Sequence, residues 1–280
     1  MTRKTILITG CSSGIGLETA LLFHKHEWQV VATMRNPEKA PTVLHKKGID
    51  IQQLDVTDKN DREKIIAHMK MVSPHGLDCL VNNAGYGLFG ALEDLAESQI
   101  RNQMEVNFVA PCLLIQSLLP HLRAAKGKII NISSVFSYAS FPMHSLYCAS
   151  KSALTSLSSS LGYELSSQGL QMCSIEPGSH RTNFGANIEY AEPAPGSSPN
   201  ISQHEKLLKY RAMLKNKKSS NTPDVVACKI YKAVQSRRMP ARIQVGKDAI
   251  ALYYLKRLLP AKVFTWVIKT ASKRIFQTSP

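Results

Sequence analysis

Short apolar runs alternate with helix-length segments along the first 180 residues, and this pattern restricts the fold more than any other feature of the chain. The strand-like runs are Thr5–Thr9, Gln29–Thr33, Asp50–Leu54, Leu77–Val81, Lys128–Ile132 and Leu170–Ile175. Helical patterns separate them, over Gly14–His26, Asp58–Met71, Ser98–Arg123 and Leu146–Ser167. Such alternation is typical of βαβ units, which build a mostly parallel sheet covered by helices on both faces. We therefore predict a doubly wound α/β fold in a single domain spanning residues 1–280.

The regular pattern stops at residues 185–222. This segment begins with GANIEYAEPAPGSSPN, which is rich in proline, glycine and serine, and continues as a polar helical pattern. A long irregular insertion in a compact domain is usually a functional lid or a disordered segment, and we interpret 185–222 as a lid over a substrate site. Pro223–Arg238 then predicts a helix, Ala241–Val245 a last strand, and residues 250–280 a basic amphipathic tail that extends the domain.

The first strand runs into TGCSSGIG (Thr9–Gly16), a glycine-rich turn that opens the first helix. Gly10 would permit a tight turn, Gly14 a close approach of the backbone to phosphate groups, and Gly16 close packing of helix on strand. Free N–H groups and the positive dipole end of the helix favour a pyrophosphate there. The spacing differs from the common G-x-G-x-x-G fingerprint, so a turn without a ligand stays open on this motif alone. The residues predicted to contact a dinucleotide are Gly10, Ser12, Ser13, Gly14, Ile15 and Gly16.

The end of the second strand, VVATMRN, bears on which dinucleotide would bind. An acidic residue there would accept from the ribose 2′-hydroxyl of NAD, but Thr33 holds that position and Arg35 follows. A guanidinium can pair with a 2′-phosphate, so NADP(H) is preferred and NAD(H) is the alternative. The possibility that Arg35 is a solvated loop residue without a cofactor role stays open. Asp55, followed by Val56, is placed to accept from the adenine amino group, whereas Asp58 is interpreted as a helix cap.

The stretch NISSVFSYASFPMHSLYCASK carries a serine, a tyrosine and a lysine at informative intervals. Tyr147 and Lys151 are four residues apart and would share one helix face. A phenol has a pKa of about 10, and a nearby ammonium would lower it towards the working range of a general acid–base. Ser134 follows the fifth strand, at the edge where open α/β sheets bind ligands. Taken alone, a tyrosine beside a surface lysine would be structural; the nucleotide-binding turn earlier in the chain favours hydride transfer to a carbonyl.

These motifs together resemble the short-chain dehydrogenase/reductase family, the tyrosine-dependent oxidoreductases with a Rossmann-type fold. The matching segments are TGxxxGxG (Thr9–Gly16), NNAG (Asn82–Gly85), the asparagine of EVNF (Asn107), Ser134 with Tyr147 and Lys151, and PGSHRT (Pro177–Thr182). The resemblance covers about Thr5–Thr182 and is weaker beyond. The motifs are specific as a set, although no single one is.

The resemblance implies a role for each matching residue. Tyr147 would be the general acid–base, Ser134 would orient the substrate oxygen, and Lys151 would lower the tyrosine pKa and bind the nicotinamide ribose. Asn107 would hold a relay water, and Thr182 would contact the nicotinamide carboxamide. Ser133 is the rival of Ser134, and the thirteen-residue interval to Tyr147 favours Ser134. Hydride would leave from the pro-S face, and the two long helices would form a homodimer or homotetramer. Further cofactor contacts implied are Val56, Asn83, Ala84, Gly85, Tyr147, Pro177 and Gly178.

Within the family, NNAGYGLFGALEDL and the IEPG loop resemble the branch of hydroxysteroid and retinol dehydrogenases and their bacterial relatives. That resemblance implies a hydrophobic alcohol or its ketone or aldehyde as substrate. Phe141 and His144, with Pro142 and Met143 between them, would line the pocket. His180, unusual in its loop, would touch substrate.

The net charge of +15 lies entirely in the last 80 residues, where 18 lysines and arginines face 3 acidic residues. A solvated basic face explains this most simply. Aromatic and basic residues interleave in YYLKRLL and VFTWVIKTASKRIF, as they do in helices that lie on membranes, so peripheral membrane contact is the first alternative. Binding to an anionic substrate or nucleic acid is the second, and no nucleic-acid-binding module supports a nucleic-acid partner.

Composition limits the remaining classes. The six cysteines lack CxxC spacing and the histidines lack HExxH spacing, which argues against a metal site and for a reducing compartment. No apolar run approaches the roughly 20 residues that span a bilayer, and the early first strand leaves no room for a signal peptide, so we expect a cytoplasmic enzyme. The alternatives are an NADP(H)-binding regulator without turnover and a lipid ketone reductase at a membrane surface.

Overall fold

A computed structural model describes residues 3–180, 182–193, 198–216 and 221–276, without the side chains at 183, 214–216 and 274. Residues 194–197 and 217–220 of the predicted lid, and 277–280 of the predicted tail, lie outside this description. The strands are β1 (Thr5–Ile8), β2 (Gln29–Met34), β3 (Asp50–Gln53), β4 (Cys79–Asn82), β5 (Leu88–Phe89), β6 (Lys128–Ile132), β7 (Gln171–Pro177), β8 (Glu189–Tyr190) and β9 (Arg242–Val245).

Seven of these strands form one parallel sheet in the order β3-β2-β1-β4-β6-β7-β9. The chain first builds outward from β1 to β3 and then crosses back to β4 on the other side of β1. The carboxyl ends of β1 and β4 therefore flank the point where the strand order reverses, which is where open α/β sheets bind their ligands. The predicted doubly wound, Rossmann-type α/β fold is confirmed.

The helices are α1 (Gly14–Lys25), α2 (Thr42–Lys46), α3 (Lys59–Val72), α4 (Glu97–Met104), α5 (Ala110–Ala125), α6 (Ser145–Ser166), α7 (Ile201–Asn216), α8 (Pro223–Gln235), α9 (Lys247–Leu258) and α10 (Ala261–Phe276). The predicted helix Ser98–Arg123 is present as α4 and α5, joined by a π-helical turn over Glu105–Val109. The sequence did not predict α2 or this turn.

Both faces of the sheet are buried, as the apolar runs require. Side chains alternate across a strand, so Ile6 and Ile8 of β1 pack under the helices on one face while Leu7 packs on the other. All four residues of β1 are buried, which is typical of a central parallel strand. Two hydrophobic cores, one on each side, hold the strand ends at the ligand-binding edge in fixed positions.

One continuous helix, Glu97–Ala125, is long enough by its 29 residues and apolar enough, with a mean hydropathy of 1.3 in its most apolar window, to span a membrane. Length and composition alone therefore do not distinguish this helix from a membrane-spanning one. Leu114, Leu118 and Leu122 of this helix are buried in the core against the sheet. The core helix of a globular protein has the same pattern.

The predicted lid is more regular than its composition suggests. A short 3-10 helix (Asn183–Asn187) leads to β8, which pairs in parallel with β5 in the loop after β4. Helix α7 follows, and α10 packs against it, with Lys206 Nζ donating to the carbonyl of Phe276 at 3.0 Å. Helix α7 of the predicted lid and helix α10 of the predicted tail thus pack against each other.

Candidate active site

The glycine turn is tied to the end of β4 by a small hydrogen-bond network. Thr9 Oγ1 accepts from the N–H groups of Asn83 and Ala84, both at 2.9 Å, and Asn83 Nδ2 donates to the carbonyls of Thr9 (2.8 Å) and Gly10 (3.0 Å). A Cβ on Gly16 would clash with the Gly10 carbonyl and with Asn83 Nδ2. Close packing at Gly16 is therefore a requirement of this network. The sequence offered no signal for the part that Thr9 plays.

The start of α1 suits an anionic ligand. Ser13 is the N-cap in an extended conformation, makes no side-chain cap hydrogen bond, and is followed by no acidic residue in the first turn. Ser12 is exposed, and Ser13, Gly14 and Ile15 are half-buried. Gly14 has a φ of +60°, and a Cβ there would lie 3.3 Å from that of Thr182. The cleft between the glycine turn and Thr182 is thus lined by backbone N–H groups at a helix N-terminus, which fits a pyrophosphate.

At the end of β2, Thr33 does not face the cleft. It is buried, with Oγ1 donating to the Ile8 carbonyl at 3.2 Å, and the strand continues to Met34. Thr33 is therefore not the position from which an acidic side chain would reach the ribose of a dinucleotide. The next residue, Met34, is not acidic either. Arg35 is exposed and forms no ion pair or hydrogen bond with any residue that the structure describes. A ligand phosphate has access to its guanidinium.

The loop after β3 holds Asp55 through a turn of its own. Asp55 Oδ1 accepts from the Thr57 N–H (3.0 Å) and hydroxyl (2.7 Å), while buried Val56 accepts through its carbonyl from Arg62 at 2.8 Å. The second carboxylate oxygen of Asp55 has no protein partner in the described chain. Asp58 caps α3 by accepting from the Asp61 N–H at 2.9 Å, as predicted.

Ser134 and Tyr147 meet at the carboxyl end of β6. Both side chains are buried, and the Ser134 hydroxyl, which accepts from the Phe136 N–H at 3.2 Å, lies close enough to the Tyr147 hydroxyl to oppose the rise of its pKa. Ser133 points elsewhere: its Oγ donates to the Lys151 carbonyl at 3.0 Å and pairs with Thr155 Oγ1 at 2.7 Å. Of the two serines, only Ser134 is therefore available to the tyrosine.

Lys151 lies one helical turn after Tyr147 and is also buried. Its Nζ donates to the Ile132 carbonyl at 2.9 Å and lies 5.9 Å from the centre of the Tyr147 ring. A Cβ on Gly85 would stand 3.4 Å from this Nζ and 3.0 Å from Asn107 Oδ1. Gly85 therefore lets Lys151 and Asn107 approach the β4 loop from two sides.

Asn107 belongs to the π-helical turn between α4 and α5. Its Oδ1 accepts from the Tyr86 N–H (3.1 Å), and its Nδ2 donates to the Tyr86 carbonyl (2.9 Å) and to Ser150 Oγ (3.1 Å). Single π-turns inside helices are frequent at functional sites. This one directs the Asn107 amide onto the loop that follows β4.

Burial dominates the electrostatics of the pair. It raises the pKa of the Tyr147 hydroxyl, and the opposing effects of the Ser134 hydrogen bond and of Arg211 are smaller. Burial also lowers the pKa of Lys151 to about 8. The lowering of the tyrosine pKa by the lysine stays a prediction. Nζ is bonded to the Ile132 carbonyl, and loss of water favours the neutral form of both groups.

A packed cluster of apolar side chains covers Tyr147, where the substrate pocket is predicted. Phe89, Met143, Ile188, Leu207 and Phe276 form its buried part, together with half-buried Phe136, Phe141, Phe184 and Tyr190. Phe184 lies with its ring 5.7 Å from that of Tyr147. Only Phe141 and Met143 of these apolar residues were predicted to line the pocket, because the others come from β5, the lid and the tail, whose approach to Tyr147 depends on long-range packing.

The structure separates the two candidate substrate histidines. His144 stacks against Phe89 (4.0 Å between ring centres) and Phe136 (5.1 Å), and burial lowers its pKa to about 4, so it is a neutral part of the wall. His180 is elsewhere: its Nδ1 is 3.1 Å from the Gly178 carbonyl, and its ring lies against Gly246 at the start of α9. The prediction that His180 touches substrate finds no support in these contacts.

The remaining predicted cofactor residues lie in the loop after β7. Pro177 is the last residue of that strand, and Gly178 packs so closely on the carboxylate of Asp248 that a Cβ there would overlap it. Asp248 also accepts from the Ser179 N–H at 2.6 Å. Within the described residues, no group of three or more His, Cys, Asp or Glu is arranged to hold a metal ion.

The chain belongs to the short chain dehydrogenase family, whose sequence model matches residues 4–193. An uncharacterized oxidoreductase of Bacillus subtilis, YusZ, is 33% identical over 99% of this chain and 100% of its own length. Retinol dehydrogenase 8 of Bos taurus is 33% identical over 92% of this chain and 86% of its own. The crystal structure of a short-chain dehydrogenase from Streptomyces avermitilis superposes with a TM-score of 0.80 at 28% identity, covering 97% of this chain and 99% of the other.

Complexes with NADP and complexes with NAD both occur among the similar structures. The resemblance inferred from the motifs is confirmed at the level of the family, and the protein is an oxidoreductase of that family. These complexes support binding of a nicotinamide cofactor.

Replacing Lys151 with methionine should alter how stability depends on pH. Burial lowers the pKa of Lys151 from 10.5 to about 8, so below pH 8 the folded protein carries the cost of a buried charge. As pH rises from about 8 towards 10.5 the folded amine loses its proton before the unfolded one does, and the cost is relieved. The free energy of unfolding of the wild type should therefore rise over this range relative to that of Lys151→Met.

Urea unfolding at several pH values between neutral and 10 measures this difference, and Lys70→Met, which removes an exposed lysine of α3, is the control. Parallel stability curves for wild type and Lys151→Met would show that the amine is not buried.

Proposed function

We propose that the protein is an NADP(H)-dependent oxidoreductase that interconverts a hydrophobic alcohol and its ketone or aldehyde. The observation that carries this proposal is the buried Ser134–Tyr147 hydroxyl pair beside the Lys151 amine, at the sheet edge where the loop after β4 is hydrogen-bonded to the glycine turn. When bound, NADPH supplies the hydride that reduces the carbonyl carbon. Tyr147 supplies the proton to the carbonyl oxygen, and hydride and proton together convert the carbonyl compound to the alcohol.

Each residue of the site has a task in this proposal. Ser134 donates to the carbonyl oxygen and holds it beside Tyr147. Tyr147 is neutral at physiological pH because burial raises its pKa, which suits a proton donor in the direction of reduction. In the oxidative direction it must give up that proton, and Lys151 at close range favours the phenolate whenever the amine is charged. Asn107 holds the loop at Gly85 and Tyr86 and is proposed to support the proton relay to solvent.

The proposed cofactor site uses the residues already described. Backbone N–H groups of the glycine turn from Gly10 to Gly16 would hold the pyrophosphate, Asp55 the adenine, and Thr182 the carboxamide. Asn83, Ala84 and Gly85, with Pro177 and Gly178, form the walls. The substrate is proposed to be hydrophobic because the cluster over Tyr147 is built from aromatic and aliphatic side chains.

Tyr147→Phe should abolish most turnover without removing the fold or the cofactor site. Loss of the proton donor should lower kcat by about 10²- to 10⁴-fold, while NADPH affinity changes little. The measurement is NADPH oxidation over a panel of ketosteroids, retinal, 3-ketoacyl lipids and aryl ketones. Tyr163→Phe is the matched control, because Tyr163 lies on the same helix and is 82% exposed. Full activity in Tyr147→Phe would contradict the proposed mechanism.

Arg35→Gln should reverse the preference between the two nicotinamide cofactors. Removing a charge-assisted contact with the 2′-phosphate should weaken NADPH binding by about 10- to 100-fold, with little effect on NADH. Equilibrium binding of each cofactor to wild type, Arg35→Gln and the neighbouring exposed-residue control Lys39→Gln measures this. A wild type that binds NADH more tightly than NADPH would overturn the role given to Arg35.

An NADP(H)-binding regulator without turnover is the alternative in another class. It would need the glycine turn and Arg35 but no proton donor. The proximity of Ser134 to Tyr147 and the buried Lys151 favour an enzyme. Burying these polar groups costs free energy, and a protein that only binds the cofactor does not need them. Cofactor binding in the absence of any turnover across the substrate panel would favour the regulator.

A second candidate, reduction of a lipid at a membrane surface, rests on the outer face of α9 and α10. Large apolar side chains are exposed there, namely Tyr254, Leu255, Leu258, Val263 and Trp266, with Trp266 65% and Leu258 76% exposed. Lys256, Arg257, Lys262 and Lys269 lie among them in the sequence. Interfacial helices combine aromatic and basic residues in this way. We propose that this face contacts an anionic bilayer.

Wild-type protein should therefore sediment with vesicles of phosphatidylcholine and phosphatidylserine, less with phosphatidylcholine alone, and less again in high salt. The double variant Leu258→Glu with Trp266→Glu should stay in solution. Met71→Glu, at an exposed methionine of α3, controls for added charge. Equal sedimentation of wild type and the double variant would remove the membrane proposal and leave a solvated basic face.

The assembly and compartment stay proposals. The family resemblance implies a homodimer or homotetramer built through the helix Glu97–Ala125 and α6. All six cysteines are unpaired, as is common in a reducing compartment, and a cytoplasmic location is proposed with the membrane contact as a peripheral one.

A further inference from the structure

Arg211 on helix α7 lies beside the apolar cluster that covers Tyr147. Its guanidinium carbon lies 5.4 Å from the centre of the Phe89 ring. Phe89 in turn packs on Tyr147, with 5.8 Å between ring centres, and on His144 at 4.0 Å. An Nη of Arg211 would be 3.5 Å from a Cβ placed on Gly185, in the segment that follows Thr182. The charge is therefore held above the aromatic wall that faces the proposed reaction site.

The position of Arg211 on its helix explains this direction. Residues four apart share a helix face, and Leu207, one turn before Arg211, is fully buried in the same cluster. Lys209, between them in sequence, is exposed on another face of α7. The arginine thus belongs to the inward face of the lid helix, whereas the lysine belongs to its solvated side.

No protein group neutralises this guanidinium. Arg211 forms no ion pair and no hydrogen bond with any residue in the described part of the chain, in contrast to Arg101 and Arg242, which pair with Glu97 and Glu176. The cluster beside it is aromatic and aliphatic. Its positive charge lowers the pKa of His144 and opposes the rise at Tyr147, which places it within electrostatic reach of both. Burial keeps His144 neutral, so the histidine does not compete for an anion.

An arginine with five N–H donors and no acceptor partner, placed beside an apolar cluster, is suited to an anionic oxygen group. We propose that Arg211 binds the acidic head group of the substrate, so that this enzyme acts on apolar alcohols or carbonyl compounds that carry a carboxylate or a phosphate, such as oxo- and hydroxy-fatty acids. The inference rests on the proposed function for its reaction and on Arg211 alone for its substrate class. The apolar part of the substrate then packs against the cluster that contains Phe89, Phe141 and Phe276.

The test measures binding rather than turnover, so that it stays informative if the proposed reaction is wrong. Isothermal titration calorimetry of the NADP⁺-saturated protein with dodecanoate, dodecyl phosphate and the neutral dodecanol compares three head groups on one chain. Wild type should bind at least one of the two anions more tightly than dodecanol, and the tighter anion identifies the head group.

Arg211→Gln should weaken binding of that anion by about 10- to 100-fold and binding of dodecanol by less than about threefold. Lys209→Gln should change neither. Affinity for NADP⁺ should be the same in all three proteins, and circular dichroism should show the same fold.

Several results would overturn the inference. The first is a wild type that binds neither anion more tightly than dodecanol. The second is an Arg211→Gln variant whose affinities for the anions and for dodecanol fall equally. The third is a parallel loss of NADP⁺ affinity in Arg211→Gln, which would assign Arg211 to the cofactor. Failure of Tyr147→Phe to lose activity, by contrast, would disprove the proposed mechanism and leave this binding result intact.

Discussion

The burial of one amine, that of Lys151, is the constraint around which the site is built. An ammonium placed inside a protein costs free energy unless polar groups surround it, and here the Ile132 carbonyl accepts from it at 2.9 Å. The rest of its surroundings must leave room: Gly85 lacks the Cβ that would stand 3.4 Å from Nζ, and the π-turn at Asn107 directs an amide to the same loop. Burial brings the pKa of Lys151 to about 8, so a bound ligand can readily shift its charge.

A second network joins this amine to the rest of the fold. Thr9 and Asn83 bind the glycine turn to the end of β4, and β4 leads directly to Gly85. The strand order places β1 beside β4 at the point where the sheet reverses direction, so the anion-binding helix end and the catalytic candidates open onto one cleft. A dinucleotide that spans this cleft would contact both groups of residues, which is why the phosphate-binding turn and the proton donor can act together although they are more than 130 residues apart in the sequence.

Most of the fold could be predicted from local patterns in the sequence. Buried parallel strands read as apolar runs, and the strands and long helices lie within a few residues of their predicted bounds because period and length determine them. Interactions between distant segments were harder to foresee. The π-turn has no sequence signature, Thr33 turns inward to donate to the Ile8 carbonyl, and burial raises the Tyr147 pKa. The positions of His180 beside Gly246 and of Arg211 beside Phe89 depend in the same way on how α9 and α7 pack, which the sequence does not indicate.

Leu207 of α7 and Phe276 of α10 pack into the cluster that contains Tyr147, so these two helices cover the proposed site. The central claim is that this site moves a hydride between a nicotinamide and a carbonyl carbon. The most direct measurement uses NADPH carrying deuterium at the pro-S or the pro-R position of C4, with the carbonyl substrate that turns over fastest, and mass spectrometry of the alcohol product. The account predicts one deuterium on the carbinol carbon from the pro-S label and none from the pro-R label. Product without deuterium from either label would contradict hydride transfer at this site.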